Sequence, residues 1–242
     1  MNKMYVLGYR LRDLLGWLPH RCRRLWRHLG RGLRGAHYDH SAADPTVRVG
    51  WLRRAAHWWL ELIVYGSELL GIGELYETLT DGAKWKTRPL TAAEIQLARP
   101  IFGDGIRYER VRIDEYALIG PRKYALCYVS FYIINSWGTM SPSILIHELV
   151  HIWQYEQIGA VYMPRALRAQ ATRMGYNYGG LATLRAYLAE GRDFLAFNLE
   201  QQADIVEDYF RIRRGLTPKW GRGQRSDLDV YEKILSPLLR AK

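Results

Sequence analysis

Residues 147–151 read His147-Glu148-Leu149-Val150-His151, and no other histidine lies beyond His57. Two histidines four apart on a helix share a face and can reach one metal ion. Glu148, between them, can serve as general base toward a metal-activated water. Zinc in a catalytic site takes three protein ligands and leaves the fourth position to water. With no further histidine nearby, the third ligand is expected to be a downstream carboxylate. The flanks are apolar on both sides, with Ile144, Leu145 and Ile146 before and Leu149, Val150, Ile152 and Trp153 around and after. A solvated helix does not carry such flanks, and polar groups on so apolar a helix need partners. Ser141 suits an N-cap, Pro142 the first helical position and Gly159 the end, which predicts a helix from Pro142 to Ile158 with the motif in its middle.

Among the acidic residues beyond His151, one group stands out. Residues 193–214 predict a second helix, closed by Gly215, with Phe194, Phe197, Ile205, Tyr209 and Ile212 for packing. Glu200, Asp204 and Glu207 recur at i, i+4 and i+7 and so share a face. Taken alone, such a stripe also reads as an ordinary solvated acidic face.

The pair of segments, His-Glu-Leu-Val-His and then Glu200-Gln201-Gln202-Ala203-Asp204, resembles the gluzincin metallopeptidases, whose second helix carries Glu-x-x-(Ser/Ala)-Asp. The resemblance implies Zn2+ held by His147, His151 and Glu200. It also implies Asp204 as hydrogen-bond acceptor for His147, fixing that ring's tautomer and orientation. The thermolysin-like branch has Asn directly before the glutamate, where this chain has Leu199. Metzincins are excluded by the missing third histidine, and the aspzincin Gly-Thr-x-Asp signature is absent. A longer context, Ile101-Phe102-Gly103-Asp104-Gly105, then Tyr108-Glu109-Arg110-Val111-Arg112-Ile113, then the motif helix, is similar to small bacterial peptidases associated with contractile-injection and Rhs/Vgr-type loci. That similarity covers residues 90–215 and implies a zincin-like fold without naming a substrate.

The expected chemistry is zinc-dependent peptide hydrolysis with Glu148 as general base on zinc-bound water. The oxyanion needs a donor besides the metal. The region offers no spare histidine, so tyrosine is favoured, and Tyr176 and Tyr178 lie between the two ligand helices. Tyrosine is frequent in this chain, and loop tyrosines often only pack.

The rest of the chain sets the frame. Residues 1–55 hold twelve Lys/Arg against three Asp, a net +9 of the chain's +11. Basicity therefore belongs to the N-terminal segment. There Met4, Leu7, Leu11, Leu14, Leu18, Leu25, Leu29 and Leu33 follow helical spacing among arginines, with Pro19 expected to kink or divide the helix. A basic amphipathic helix reads as a contact for a membrane surface or a secretion-system partner, or as a peripheral helix packed on its own domain; nucleic acid ranks last. Residues 58–73 are strongly apolar but fall short of the ~20 needed to span a bilayer, so a buried helix or interfacial hairpin is expected.

Thr80-Asp81-Gly82 reads as a helix stop, Thr87-Arg88-Pro89 as extended chain, and Thr91 with Glu94 as a capping box. Residues 107–113 and 124–135 read as strands; the resemblance to zincins implies that the second, before the motif helix, is an exposed sheet edge beside the cleft on which a peptide can add. Cys22 and Cys127 form no disulfide framework, and Cys127 reads as a small buried hydrophobe. No secretory signal is legible, because arginines break the apolar run. The expectation is therefore a bacterial cytoplasmic protein, membrane-associated or exported by a specialised route.

The expected architecture is α+β: a basic helical region at residues 1–88 and a zincin-like domain at 89–242, with a peptide or protein as substrate. Two other readings stand beside the active peptidase. One is an inactive zincin-fold binding module, the other a membrane-surface helical protein with an accidental motif.

Overall fold

The computed structural model describes residues 3–33, 51–83, 87–117 and 127–239. Its architecture is α+β, mostly helical around one small four-stranded sheet. Helices α1 (Lys3–Leu33), α2 (Trp51–Leu69) and α3 (Ile72–Ala83) come first. Then follow β1 (Thr87–Pro89), α4 (Ala92–Phe102), β2 (Arg112–Asp114), β3 (Cys127–Ser130) and β4 (Ile133–Ser136). The remainder is helical: α5 (Pro142–Ile158), α6 (Tyr162–Gln170), α7 (Gly180–Ala189), α8 (Leu199–Arg213), α9 (Leu228–Ile234) and α10 (Ser236–Leu239).

Local chemistry accounts for most boundaries. Thr91 and Glu94 form the expected capping box at the start of α4, each side chain bonding the other's backbone. Ser141 caps α5, Pro142 opens it, and Gly159 ends it at φ 79°. No side chain fits easily at Gly159, because a Cβ there would collide with the Glu68 carboxylate. That carboxylate accepts the Ala160 N–H at 2.8 Å and so ties the end of α5 to α2.

Several expectations need correction. Pro19 does not divide α1, which runs through it as one helix. The apolar stretch 58–73 is two helices broken at Gly71 (φ 68°), and α3 continues through Asp81 and Gly82 to Ala83. Of residues 107–113 only Arg112 and Ile113 enter a strand, since Tyr108–Arg110 coil into a 3-10 turn. The single strand at 124–135 is a hairpin, because Phe131 at φ 57° reverses the chain between β3 and β4; residues 124–126 lie outside the described residues.

The sheet order is β1-β2-β4-β3, with β2 and β4 parallel and the other pairs antiparallel. The strand directly before the motif helix is thus interior, and β3 forms the edge next to it, with β1 the opposite edge. β1 falls at the expected junction of residues 88 and 89 and belongs to this sheet.

The core lies where the sheet meets α5 and α8. Ile113 and Ile134 from the sheet, Leu149, Val150 and Ile152 from α5, and Ile205 and Val206 from α8 are fully buried. Tyr231 and Leu235 close it from the C-terminal side. Each such apolar side chain contributes roughly 1.5–3 kcal/mol on burial, so the packing of α5 on α8 is a rigid platform.

Candidate metal centre

The motif stands mid-helix on α5 with both rings turned toward α8. The second helix is shorter than the sequence pattern suggests. Asn198 sits extended at ψ 165° as its N-cap, its side chain accepting from Gln201 N at 2.9 Å while Gln201 bonds back to Asn198 N at 3.2 Å. Phe194–Ala196 form a separate 3-10 turn capped by Asp193. The capping box places Glu200 in the first turn of α8, where the helix dipole favours a carboxylate. The same cap reaches outward. Asn198 Nδ2 donates to the Gly175 carbonyl at 3.1 Å, and Gln201 Nε2 donates to the Asn177 carbonyl at 2.8 Å.

His147, His151 and Glu200 come together. Glu200 Oε2 lies 3.7 Å from His147 Nε2 and 3.6 Å from His151 Nε2. All three ligand atoms fall within 4.8 Å of one another. Atoms at 2.0–2.1 Å from a tetrahedral zinc stand ~3.3–3.4 Å apart, so the two His–Glu200 separations are within a few tenths of an ångström of those a zinc-binding set needs. Glu200 is 1 % exposed and its Oε2 is buried with no hydrogen-bond donor, while Oε1 accepts from Gln170 Nε2 at 2.8 Å. A buried carboxylate oxygen without a donor is costly unless something positive meets it. Burial opposes ionisation of Glu200, yet the histidines beside it hold its carboxyl well below the usual carboxylate range.

The ring nitrogens are oriented from behind. Gln154 Nε2 donates to the Leu199 carbonyl at 2.9 Å and to Gln202 Oε1 at 3.0 Å, so its Oε1 faces His151 Nδ1 at 2.8 Å. Gln154 Oε1 thus suits a proton on His151 Nδ1 and leaves Nε2 facing Glu200, whose charge raises the His151 pKa against the effect of burial. His147 Nδ1 stands 2.9 Å from Asp204 Oδ1 and 3.5 Å from Glu207 Oε2. The Asp204 approach is close but off the N–H axis, so it is an ion-pair contact more than an aligned hydrogen bond. Asp204 is itself held by Lys219 Nζ at 3.0 Å and by the Trp220 indole N–H. Burial disfavours charge on His147, but the surrounding carboxylates outweigh it and push its pKa well above the usual histidine value. The pocket calls for positive charge. His147, Asp204 and Glu207 form a second possible donor set on the far side of the same ring.

Glu148 is buried beside the pair, and Cys127 Sγ donates to its Oε1 at 3.0 Å across from β3. Cys127 is thus half-buried with a polar contact, and burial and the Glu148 charge push its thiol pKa up. Tyr176 lies by the site, its ring centroid 6.0 Å from that of His147 and 5.4 Å from Lys219 Nζ. Tyr178 does not join it. Its hydroxyl donates to Asp208 at 2.7 Å and meets Tyr231 at 2.9 Å in a buried network of its own.

Sequence reasoning missed Gln154, Gln170, Lys219 and Trp220. The glutamines lie one turn past His151 and at the end of α6, and spacing alone gave them no role. Lys219 and Trp220 lie beyond α8, and only the return of the chain brings them to Asp204.

The chain matches no family model and no solved structure. It is similar to a curated bacterial protein. That relative is the type VI secretion system spike protein VgrG2b of Pseudomonas aeruginosa, 29% identical over 137 residues. The alignment takes in 51% of this chain and 13% of the spike protein, so the chain spans only a small part of its relative's length.

Proposed function

We propose that this chain is a zinc-dependent peptidase of gluzincin type in a zincin-like fold, associated with a bacterial secretion system. The observation that carries the proposal is the buried, donor-less Glu200 Oε2 facing two histidine Nε2 atoms. Histidine nitrogens and a carboxylate suit zinc, and His147, His151 and Glu200 would hold it. When bound, zinc supplies Lewis acidity and brings a water's pKa toward neutrality.

The chain's own groups do the rest. Glu148 takes the proton from the attacking water and returns it to the leaving nitrogen. The Cys127 thiol holds its Oε1 in place for both transfers. Tyr176 is the remaining tyrosine candidate to donate to the oxyanion. A substrate strand would add at the Cys127 end of β3, because the Tyr162 hydroxyl already takes the Val129 carbonyl at 2.8 Å. Asp204, gripped by Lys219 and Trp220, keeps the His147 ring from turning.

The likeness to part of a secretion spike supports export by that route for this chain as well. The test is metal analysis of the purified chain beside peptide hydrolysis by wild type and Glu148→Gln. One zinc per chain, with hydrolysis lost in the variant and zinc kept, is expected. Wild-type protein that binds no zinc overturns the reading, and full hydrolysis by Glu148→Gln overturns the mechanism.

A further inference from the structure

Helices α2 and α3 are built with their polarity reversed. In water a surface helix turns its apolar stripe inward. Here the only buried residues of α2 are Glu61, Tyr65 and Glu68. Glu61 is clamped by Arg165 at 2.7 and 2.9 Å, and Glu68 meets Arg24 at 3.2 Å. In α3 the buried side chains include Glu74, paired with Arg21, and Glu77, paired with Arg110 at 3.2 Å. Arg21 also donates to the Glu68 carbonyl, so the inward sides of both helices converge on α1.

The outward sides are greasy. Leu52, Trp59 and Ile63 follow one face of α2, and Ile72, Leu75 and Leu79 one face of α3. Ile63 is 66% exposed and Leu79 63%; Leu70, at the turn between the helices, reaches 79%. Among the described side chains no acidic residue stands with them. Exposed apolar surface of this extent marks an interaction site.

The charge around these faces selects the partner. Arg53 and Arg54 are exposed at the start of α2. On α1, which packs along α2, Arg23 and Arg27 are exposed on either side of Trp26, itself 73% exposed. A second copy of the chain would bring these cationic rims against each other, which disfavours self-association. A layer of anionic headgroups over acyl chains matches both the apolar faces and the rim. Among the described residues no helix is long and apolar enough to cross a membrane, so contact is at the interface.

We propose that the outward faces of α2 and α3 dock this protein onto an anionic lipid surface, with tryptophans and aliphatic side chains at the acyl boundary and arginines on the headgroups. This stands apart from the peptidase reading and does not depend on it.

The test is flotation of the full chain with vesicles of phosphatidylcholine alone or mixed with phosphatidylglycerol. Wild type should float with the mixed vesicles and less with the neutral ones. Trp59→Glu with Ile63→Glu should weaken binding at least ~10-fold, and Leu75→Glu should weaken it in the same direction from the other helix. These sites are solvent-facing, so the circular dichroism spectrum should stay unchanged. Arg53→Glu with Arg54→Glu should cost about fivefold per arginine removed on mixed vesicles and little on neutral ones. Flotation that is absent, or equal in wild type and both outward-face variants, overturns the proposal. So does a concentration-dependent dimer in sedimentation velocity that those same variants abolish, or capture of a protein partner without vesicle binding.

Discussion

Replacing Glu200 by Gln removes the single anionic donor between the two Nε2 atoms while keeping the side chain's size. Changing residues that merely orient metal ligands costs 10–100-fold in affinity. Loss of the charged ligand itself should reach or exceed the upper end, about 2.7 kcal/mol at 100-fold. The contrast is therefore visible as stability. With free zinc at 100 times the dissociation constant, wild type gains about 2.7 kcal/mol. For a chain of this size that is ~5–10 °C in melting temperature. Thermal melts with and without zinc, on both proteins, read it directly. Wild type should shift by that amount and Glu200→Gln by little, while Glu207→Gln should keep most of the shift. An equal shift in wild type and Glu200→Gln, or loss of the shift in Glu207→Gln alone, would refute this donor set and favour the one on the far side of the His147 ring.

Gln154→Leu should weaken zinc binding ~10–100-fold, whereas Gln154→Glu, which keeps an acceptor for His151, should recover part of it in the same titration. Tyr178→Phe should lower stability by ~1–3 kcal/mol in urea unfolding, through the Asp208 and Tyr231 partners it abandons, and leave kcat/KM unchanged. Tyr176→Phe should instead lower kcat ~10²–10³-fold with stability intact; an unaltered kcat removes Tyr176 from the oxyanion role. Arg165→Ala strands the buried Glu61 carboxylate, whose pKa is otherwise held down by that guanidinium against the effect of burial. About 3–5 kcal/mol of stability should go with it, and limited proteolysis should then cut earlier between α2 and α6.

How far residues foretell this structure depends on how local the deciding forces are. Helix α5 was legible to its ends because Ser141, Pro142 and Gly159 act within one turn of where they stand. The beginning of α8 was obscured because Phe194 and Phe197 continue a helical apolar spacing through Asn198, whose cap with Gln201 nevertheless restarts the chain. The hairpin at Phe131 carries no Gly, Pro or Asn at its turn, and an aromatic residue at positive φ is a rare choice that patterns do not signal. The meeting of His147, His151 and Glu200 followed from periodicity plus the resemblance. The turning away of Tyr178 did not, since a loop position says nothing of side-chain direction. The inward facing of Glu61, Glu68, Glu74 and Glu77 has no local signal, because it is decided by arginines distant in sequence.

The Asn198 cap has a mechanical consequence. Through Asn198 Nδ2 and Gln201 Nε2 it grips the carbonyls of Gly175 and Asn177, on either side of Tyr176. The loop bearing that tyrosine and the helix turn bearing Glu200 are thus fastened by one knot. The loop cannot swing open without loosening the start of α8, and whatever seats firmly on Glu200 also stiffens the loop.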